Sequence, residues 1–238
     1  MIRSQGGLIH LLPVIKRSVN KLQSIIHSYM ESIYAEDNKL PHSIPAKLLE
    51  KTGRLNTPEL ICYKDRKDKK WVLGPTHEEN ITYFLASENP ISHNKLPLRL
   101  YQISTKFRDE MRFKSGLLRS KEFIMKDLYC FDDSPESCEK TYKEVTDCYH
   151  RFFKFLKVPY VVVKGDAGDI GEGISHEFHF LSEVGDDHLL LCNDCGHGVN
   201  LIDENCELVC EKCKSNNVVK QRGIEVHDSV IFYFLNLC

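Results

Sequence analysis

Two cysteine pairs, Cys192-Asn-Asp-Cys195 and Cys210-Glu-Lys-Cys213, stand fourteen residues apart in the chain. Knuckles of this kind bring four thiolates into a tetrahedron around Zn2+, each knuckle's backbone amides helping to stabilise the negative sulfurs. The spacing predicts a structural zinc ribbon built from Cys192, Cys195, Cys210 and Cys213; the other reading is a metal-free hairpin that merely keeps the cysteines. Cys206 is a spare ligand, and the spacing carries no sign of catalysis. Five of the ten cysteines fall between Cys192 and Cys213, and no secretory signal is recognisable, which favours a reducing compartment over disulfides.

A second group could bind a nucleotide. Thr105-Lys-Phe-Arg-Asp-Glu110 and, after a basic loop, Leu118-Arg-Ser-Lys-Glu-Phe-Ile-Met-Lys-Asp127 read as two strands. Strand alternation puts Arg108 and Glu110 on one face, and Phe123, Met125, Asp127 and Tyr129 on one face of the second strand. A guanidinium can pair with phosphate oxygens, a carboxylate can accept from an adenine amino group, and a ring can stack on the base. The same pattern also fits an exposed charged hairpin with Phe123 in the core.

The elements that would position these residues follow from periodicity and breakers. Ile15, Val19, Leu22, Ile26, Tyr29 and Ile33 recur at three- and four-residue steps and predict one long helix over 14–34. Residues 40–45, with two prolines, should run extended before a short helix over 47–51. Strands are expected at 59–64 and 70–73, followed by a helix through Ala86 that Thr76 and Glu79 open as a capping box. The long strands are expected at 98–110 and 121–131. Ser134-Pro135-Glu136 starts a helix, and strands follow at 159–164, 176–184 and 188–191. Strands and helices do not alternate regularly, so the class is α+β, a mainly antiparallel sheet flanked by helices.

The 238 residues are 42% hydrophobic, enough for a sizeable core, and 32 basic residues nearly cancel 34 acidic ones. No bulk positive field attracts nucleic acid, so any RNA contact must be local. No apolar stretch of about 18 residues is present, which excludes a membrane-spanning helix. Arg3, Lys16, Arg17 and Lys21 precede the first acid, Glu31, a pattern that resembles a mitochondrial presequence and also fits a folded helix.

Phe-Arg-Asp-Glu110, the basic loop, and Arg119-Ser-Lys-Glu-Phe-Ile-Met-Lys-Asp-Leu-Tyr129 resemble motif 2 of class II aminoacyl-tRNA synthetases in its prolyl form. The resemblance implies that Arg108 binds the α-phosphate of ATP and the substrate carboxylate, that Glu110 and Phe123 hold adenine, and that Arg119 adds a nucleotide contact. Leu73-Gly-Pro-Thr-His-Glu-Glu79 is similar to the family's signature loop, which makes Thr76 and Glu78 ligands of the proline amino group. Glu79 is left a structural role, and Thr76 can serve both as cap and as ligand because its hydroxyl has two lone pairs. Gly173-Ile-Ser-His-Glu-Phe178 resembles the segment that closes the proline pocket, which adds His176; a lone histidine at a strand start otherwise reads as structural. Residues 7–22 and Leu40-Pro41 resemble motif 1, the homodimer interface.

The resemblance implies activation of L-proline with ATP and Mg2+ and transfer to tRNA-Pro by a homodimer. It places the protein in the mitochondrial matrix, with the cytoplasm as the alternative. The short cysteine-rich segment stands where bacterial relatives carry an editing domain, which implies no editing of mischarged alanine. Residues 1–190 are expected to be a partial catalytic domain, 191–222 a zinc-ribbon-like insertion, and 223–238 an apolar tail that matches no family element. The expected chain is therefore truncated before motif 3 and activates little proline alone. Two rivals remain: a noncatalytic synthetase-like binding or regulatory protein, and a zinc-ribbon nucleic-acid adaptor, which the near-neutral charge opposes.

Overall fold

Residues 2–87, 91–111, 118–165, 175–201 and 208–230 are described by the computed structural model, the first four by backbone alone. They divide into two compact units, Met1–Thr141 and Tyr142–Cys238.

The first unit begins with the antiparallel hairpin of β1 (Ile2–Gln5) and β2 (Leu8–Leu11), turned at Gly6 and Gly7, whose φ angles of 60° and 81° suit residues without a Cβ. Helix α1 (Pro13–Glu31) starts on a proline, whose missing amide costs nothing at the first turn. The chain then leaves it through Tyr34 at φ 57°. Strand β3 (Glu36–Asp37) follows. Strand β4 (Ser43–Pro45), helix α2 (Ala46–Lys51), and strands β5 (Ile61–Lys64) and β6 (Lys70–Leu73) build a three-stranded sheet in the order β4-β6-β5. Ile44, Leu49 and Val72 are buried there with Ala46 and Leu48. Each such large side chain contributes about 1.5–3 kcal/mol by leaving water.

Helix α3 (Glu78–Ser87) leads to the long antiparallel pair of β7 (Leu98–Phe107) and β8 (Glu122–Phe131), in register from Leu98↔Phe131 to Phe107↔Glu122. Strand β3 adds to β7 in parallel. Helix α4 (Pro135–Leu156) has the expected start: Ser134 Oγ accepts the Ser137 amide at 3.2 Å, with proline in the first turn.

In the second unit β9 (Val161–Lys164), β10 (Ser175–Leu181), β11 (Asp187–Cys192), β12 (Gly198–Asn200) and β13 (Val218–Val230) close into a small barrel, ordered β10-β13-β11-β12-β9. Phe178, fully buried, stacks on Phe153 at 5.1 Å and on Tyr160 at 5.8 Å. Gly185 lies against the Gly223 carbonyl: a Cβ there would fall 2.0 Å from that oxygen.

The α+β content and the antiparallel bias are as expected; β3–β7 and β9–β12 are the parallel pairs among the described residues. The strands form four separate sheets there rather than a single one. Strands β1, β2, β3, β12 and β13 were not anticipated. Of the expected apolar tail, residues 223–230 belong to β13 and pair with β10 and β11. Residues 231–238 and Cys206 lie outside the described residues. No helix among those described is long and apolar enough to cross a membrane.

Candidate functional site

Strand β7 ends at Phe107, so Arg108 and Glu110 stand just beyond it and strand alternation does not set their directions. Local bonds do. The Arg108 amide donates to the Lys121 carbonyl at 3.0 Å, the Asp109 amide to the Glu59 carbonyl at 2.8 Å, and the Glu110 amide back to the Arg108 carbonyl at 2.8 Å. The Arg108 guanidinium lies over the Phe123 ring, 5.4 Å from its centroid, within cation–π range. Arg119 pairs with Glu110 at 3.3 Å. Arg108, Glu110, Arg119 and Phe123 thus gather at one end of the β7–β8 hairpin. Residues 112–117 of the connecting loop lie outside the described residues.

The Gly-Pro-Thr-His-Glu-Glu loop is tied to the same end. Phe107 donates its amide to the Gly74 carbonyl at 3.1 Å, and Gly74 donates to His42 at 2.8 Å. A Cβ on Gly74 would press within 2.9 Å of the His77 ring, so the loop needs a glycine to lie this close. The Thr76 hydroxyl donates to Glu78 Oε2. The capping box expected between Thr76 and Glu79 is replaced by other partners: Glu79 Oε1 accepts from Thr52 at 2.9 Å and from Arg54 at 3.0 Å.

The other candidates lie in the second unit. His176 is the second residue of β10, and its Nδ1 meets the Tyr142 hydroxyl at 2.6 Å. Burial, then the neighbouring His150 and His197, hold its pKa below the ordinary histidine value, while burial pushes Tyr142 up to about 12. A cavity of about 300 Å³ opens beside this pair, lined also by Thr146, His150 and Val162.

Cys192, Cys195, Cys210 and Cys213 converge as the spacing predicted, with all four sulfurs within 4.8 Å of one another. Cys192 and Cys213 Sγ are 3.5 Å apart, Cys195 and Cys210 Sγ 3.6 Å. A disulfide requires about 2.05 Å, whereas sulfurs about 2.3 Å from a tetrahedral Zn2+ lie roughly 3.8 Å apart. The geometry therefore fits a metal centre. Each knuckle ends on a left-handed residue, Gly196 at φ 70° and Lys214 at φ 60°. The Cys213 amide donates to Cys210 Sγ at 3.5 Å and, as the leading cause, pulls that thiol down to about 6, towards the thiolate that binds metal.

Compared with models of protein families, residues 57–228 match the tRNA synthetase class II core domain (G, H, P, S and T). The chain belongs to this class II synthetase family. Among the relatives of this synthetase core, "Probable proline--tRNA ligase, mitochondrial" from Homo sapiens is 41% identical over 223 residues, covering 92% of the chain and 47% of the relative. The protein of that name from Schizosaccharomyces pombe is 39% identical, covering 94% and 54%. A proline--tRNA ligase from Sulfurihydrogenibium sp. (strain YO3AOP1) is 44% identical, covering 84% and 36%. The chain spans about half the length of the mitochondrial relatives it matches. The crystal structure of prolyl-tRNA synthetase from Cryptosporidium parvum, complexed with L-proline and AMP, shares the fold at a TM-score of 0.66 and 19% identity, over 76% of this chain and 37% of that one.

Beneath the signature loop, this synthetase core holds a buried polar network that sequence reasoning missed. Lys106 is fully buried; its Nζ lies 2.9 and 3.0 Å from the two Asp127 oxygens, 2.9 Å from Ser104 Oγ and 2.8 Å from His77 Nδ1. His77, also fully buried, meets the Pro41 carbonyl through Nε2 at 2.9 Å, which assigns the neutral tautomer protonated at Nε2. Burial first, then the Lys106 charge, lower its pKa. The Tyr129 hydroxyl accepts the His77 amide at 2.8 Å, and burial drives its pKa well above the ordinary range. Arg54 is the other missed residue: isolated in the sequence, it is brought here by the turn at Gly53 (φ 76°).

Proposed function

We propose that the chain is part of a proline–tRNA ligase, which activates L-proline with ATP and transfers it to tRNA-Pro. The observation that carries this reading is the juxtaposition of two blocks by one hydrogen bond. Phe107, next to an Arg108 already stacked on Phe123, donates to Gly74, two residues before Thr76. A nucleotide-holding end and an amine-holding loop thus share one edge of the first unit. The mitochondrial and bacterial relatives named proline--tRNA ligase support the choice of amino acid.

In this reading Arg108 neutralises the α-phosphate and draws the proline carboxylate towards it. Phe123 and Glu110 take the adenine base, and Arg119 adds a nucleotide contact. Thr76 and Glu78 take the proline ammonium, and His176 belongs to the proline pocket. Mg2+, arriving with ATP, neutralises phosphate charge. No covalent nucleophile is required, because holding carboxylate and phosphate together is the main catalytic contribution.

The four cysteines would hold a structural Zn2+, and residues 191–222 form the insertion around it. The homodimer would use α1. Met30 is the buried residue of that helix, while Val14 and Leu22 are 59% and 40% exposed. The mitochondrial relatives support a mitochondrial location.

Isothermal titration with a nonhydrolysable prolyl-adenylate analogue tests the reading. The wild-type chain should bind it, and Thr76→Val and Arg108→Ala should each weaken binding by roughly 10-fold or more. Equal affinity in all three proteins would overturn it.

A further inference from the structure

Within the signature loop His77 is the residue that turns inward: it is fully buried, while Thr76 and Glu78 on either side of it are partly exposed. All four of its polar groups are engaged. The backbone amide donates to the Tyr129 hydroxyl at 2.8 Å, and the carbonyl accepts the Ile81 amide at 2.9 Å, the first turn of α3. Nε2 donates to the Pro41 carbonyl at 2.9 Å, and Nδ1 accepts from Lys106 Nζ at 2.8 Å. The ring is also wedged against Gly74, where a Cβ would lie 2.9 Å from Cε1.

These contacts admit one charge state of the ring. A carbonyl can only accept, so Nε2 carries the proton; an ammonium can only donate, so Nδ1 is bare. A proton added at Nδ1 would point at the Lys106 ammonium, and the hydrogen bond would become a repulsion between like charges. The charged groups around the ring are Lys106 on β7, Asp127 on β8 and Glu78 at the start of α3. The segment before β4 adds the uncharged Pro41 carbonyl, and β8 adds the Tyr129 hydroxyl. Asp127 is already engaged by Lys106 and by Gln102 Nε2, at 2.9 Å from the latter, and burial with the Lys106 charge holds the imidazole neutral.

We propose that neutral His77 is the positioning residue of the amino-acid subsite: pinned between Pro41 and Lys106, it fixes Thr76 and Glu78 where they take the substrate ammonium, and its protonation releases them. This rests on the proposed function and deepens it. The nucleotide end is held by other bonds, from Arg108 to Lys121 and from Asp109 to Glu59, so protonation loosens the grip on the amine and leaves the grip on the nucleotide. Because the pKa of His77 in the fold lies below the ordinary value of about 6.5, the grip on the amine is complete above about pH 6.5 and is lost as pH falls through the lower folded value.

The test is isothermal titration of the 238-residue chain from about pH 7.5 to about pH 5 with two probes. One is the nonhydrolysable prolyl-adenylate analogue; the other is its cyclopentanecarbonyl counterpart, in which a methylene replaces the ring nitrogen. Both need the same nucleotide site, so the ratio of their affinities isolates the amine, and any general loss of the fold cancels. The preference for the prolyl probe should fall by at least about three-fold across the range. Nitrogen-15 NMR of the histidine-labelled chain should show His77 protonated at Nε2 alone at about pH 7.5, and gaining its second proton within about one pH unit of that fall. In His77→Gln, which cannot titrate, the preference should change by less than about two-fold over the same range. A flat preference in the wild-type chain would overturn the inference, as would a His77 that titrates outside that window. Both measurements use the wild-type chain and decide the matter even where the variant does not fold. An equally steep fall in His77→Gln would place the titrating group at Glu78 or His176 and also overturn it. A wild-type chain that shows no preference for the prolyl probe at about pH 7.5 would instead overturn the assignment of Thr76 and Glu78 to the ammonium, and the proposed function with it.

Discussion

In the proposed function Arg108 carries more of the chemistry than any other side chain, and its geometry makes a sharp forecast. A planar guanidinium can stack on a ring and grip phosphate at two points, while an ammonium is a compact point charge. Arg108→Lys should therefore cost roughly 10-fold in ATP affinity, although the net charge is kept, as measured by titration with a nonhydrolysable ATP analogue. His77 gives a second expectation at this scale. Its pKa in the fold is below the ordinary value of about 6.5 because burial and Lys106 disfavour its charged form. The unfolded chain then binds the extra proton first, so the contribution is fully present above about pH 6.5 and is lost as pH falls through the lower folded value. Melting followed by circular dichroism should show stability falling between about pH 7 and pH 5, and His77→Gln should flatten that slope. His150 and His176 are shifted in the same direction, so part of the slope should remain in the variant.

Between β7, β8 and the loop preceding α3, the decisive feature is the fully buried Lys106 paired with Asp127. Removing one partner leaves the other charge buried and uncompensated, which costs about 3–5 kcal/mol. Lys106→Met should cost that much in denaturant melts, and Lys106→Met with Asp127→Leu should recover a large part of it. If the single and double variants melt alike, the pair is not what holds the loop against the strands. Both strands were legible from their alternating pattern, yet this polar contact was not, because a lysine in Thr105-Lys-Phe reads as a solvated charge. Only the closing of the loop over β7 shuts water away from it. The capping box was misread for the same reason. Thr76 and Glu79 have the right spacing, but Arg54 and Thr52 arrive from a distant turn and outcompete the backbone amides.

At the scale of the whole molecule, the cysteine cluster and the barrel are joined through shared backbone. Cys192 closes β11, and Val218, which opens β13, pairs with it, so the first knuckle starts on a barrel strand and the second stands just before another. Stripping metal with a strong chelator should remove about one zinc per chain, assayed by elemental analysis. It should also lower the melting temperature; Cys210→Ser should do both. A chain purified without zinc that melts at the same temperature as one loaded with it would sink this expectation. Packing makes a separate demand at Gly185, where a Cβ would meet the Gly223 carbonyl at 2.0 Å. Gly185→Ala should destabilise the barrel by about 1–3 kcal/mol in denaturant melts.

The sequence alone determined the periodic elements, the cysteine tetrad and the two blocks that resemble class II motifs, because each is written in local spacing: 3.6 residues for a helix, two for a strand, C-x-x-C for a knuckle. Tertiary structure decided what local spacing cannot encode. It closed five strands into a barrel, drew residues 223–230 into β13, carried Arg54 to Glu78 and Thr76, and buried Lys106 beside Asp127 and His77. The side-chain contacts among these join residues 21 to 29 positions apart, and the β10–β13 pairing joins residues up to 55 apart, Ser175 with Val230. Their energies depend on how much water the surrounding fold excludes, a quantity that exists only once the chain has closed on itself.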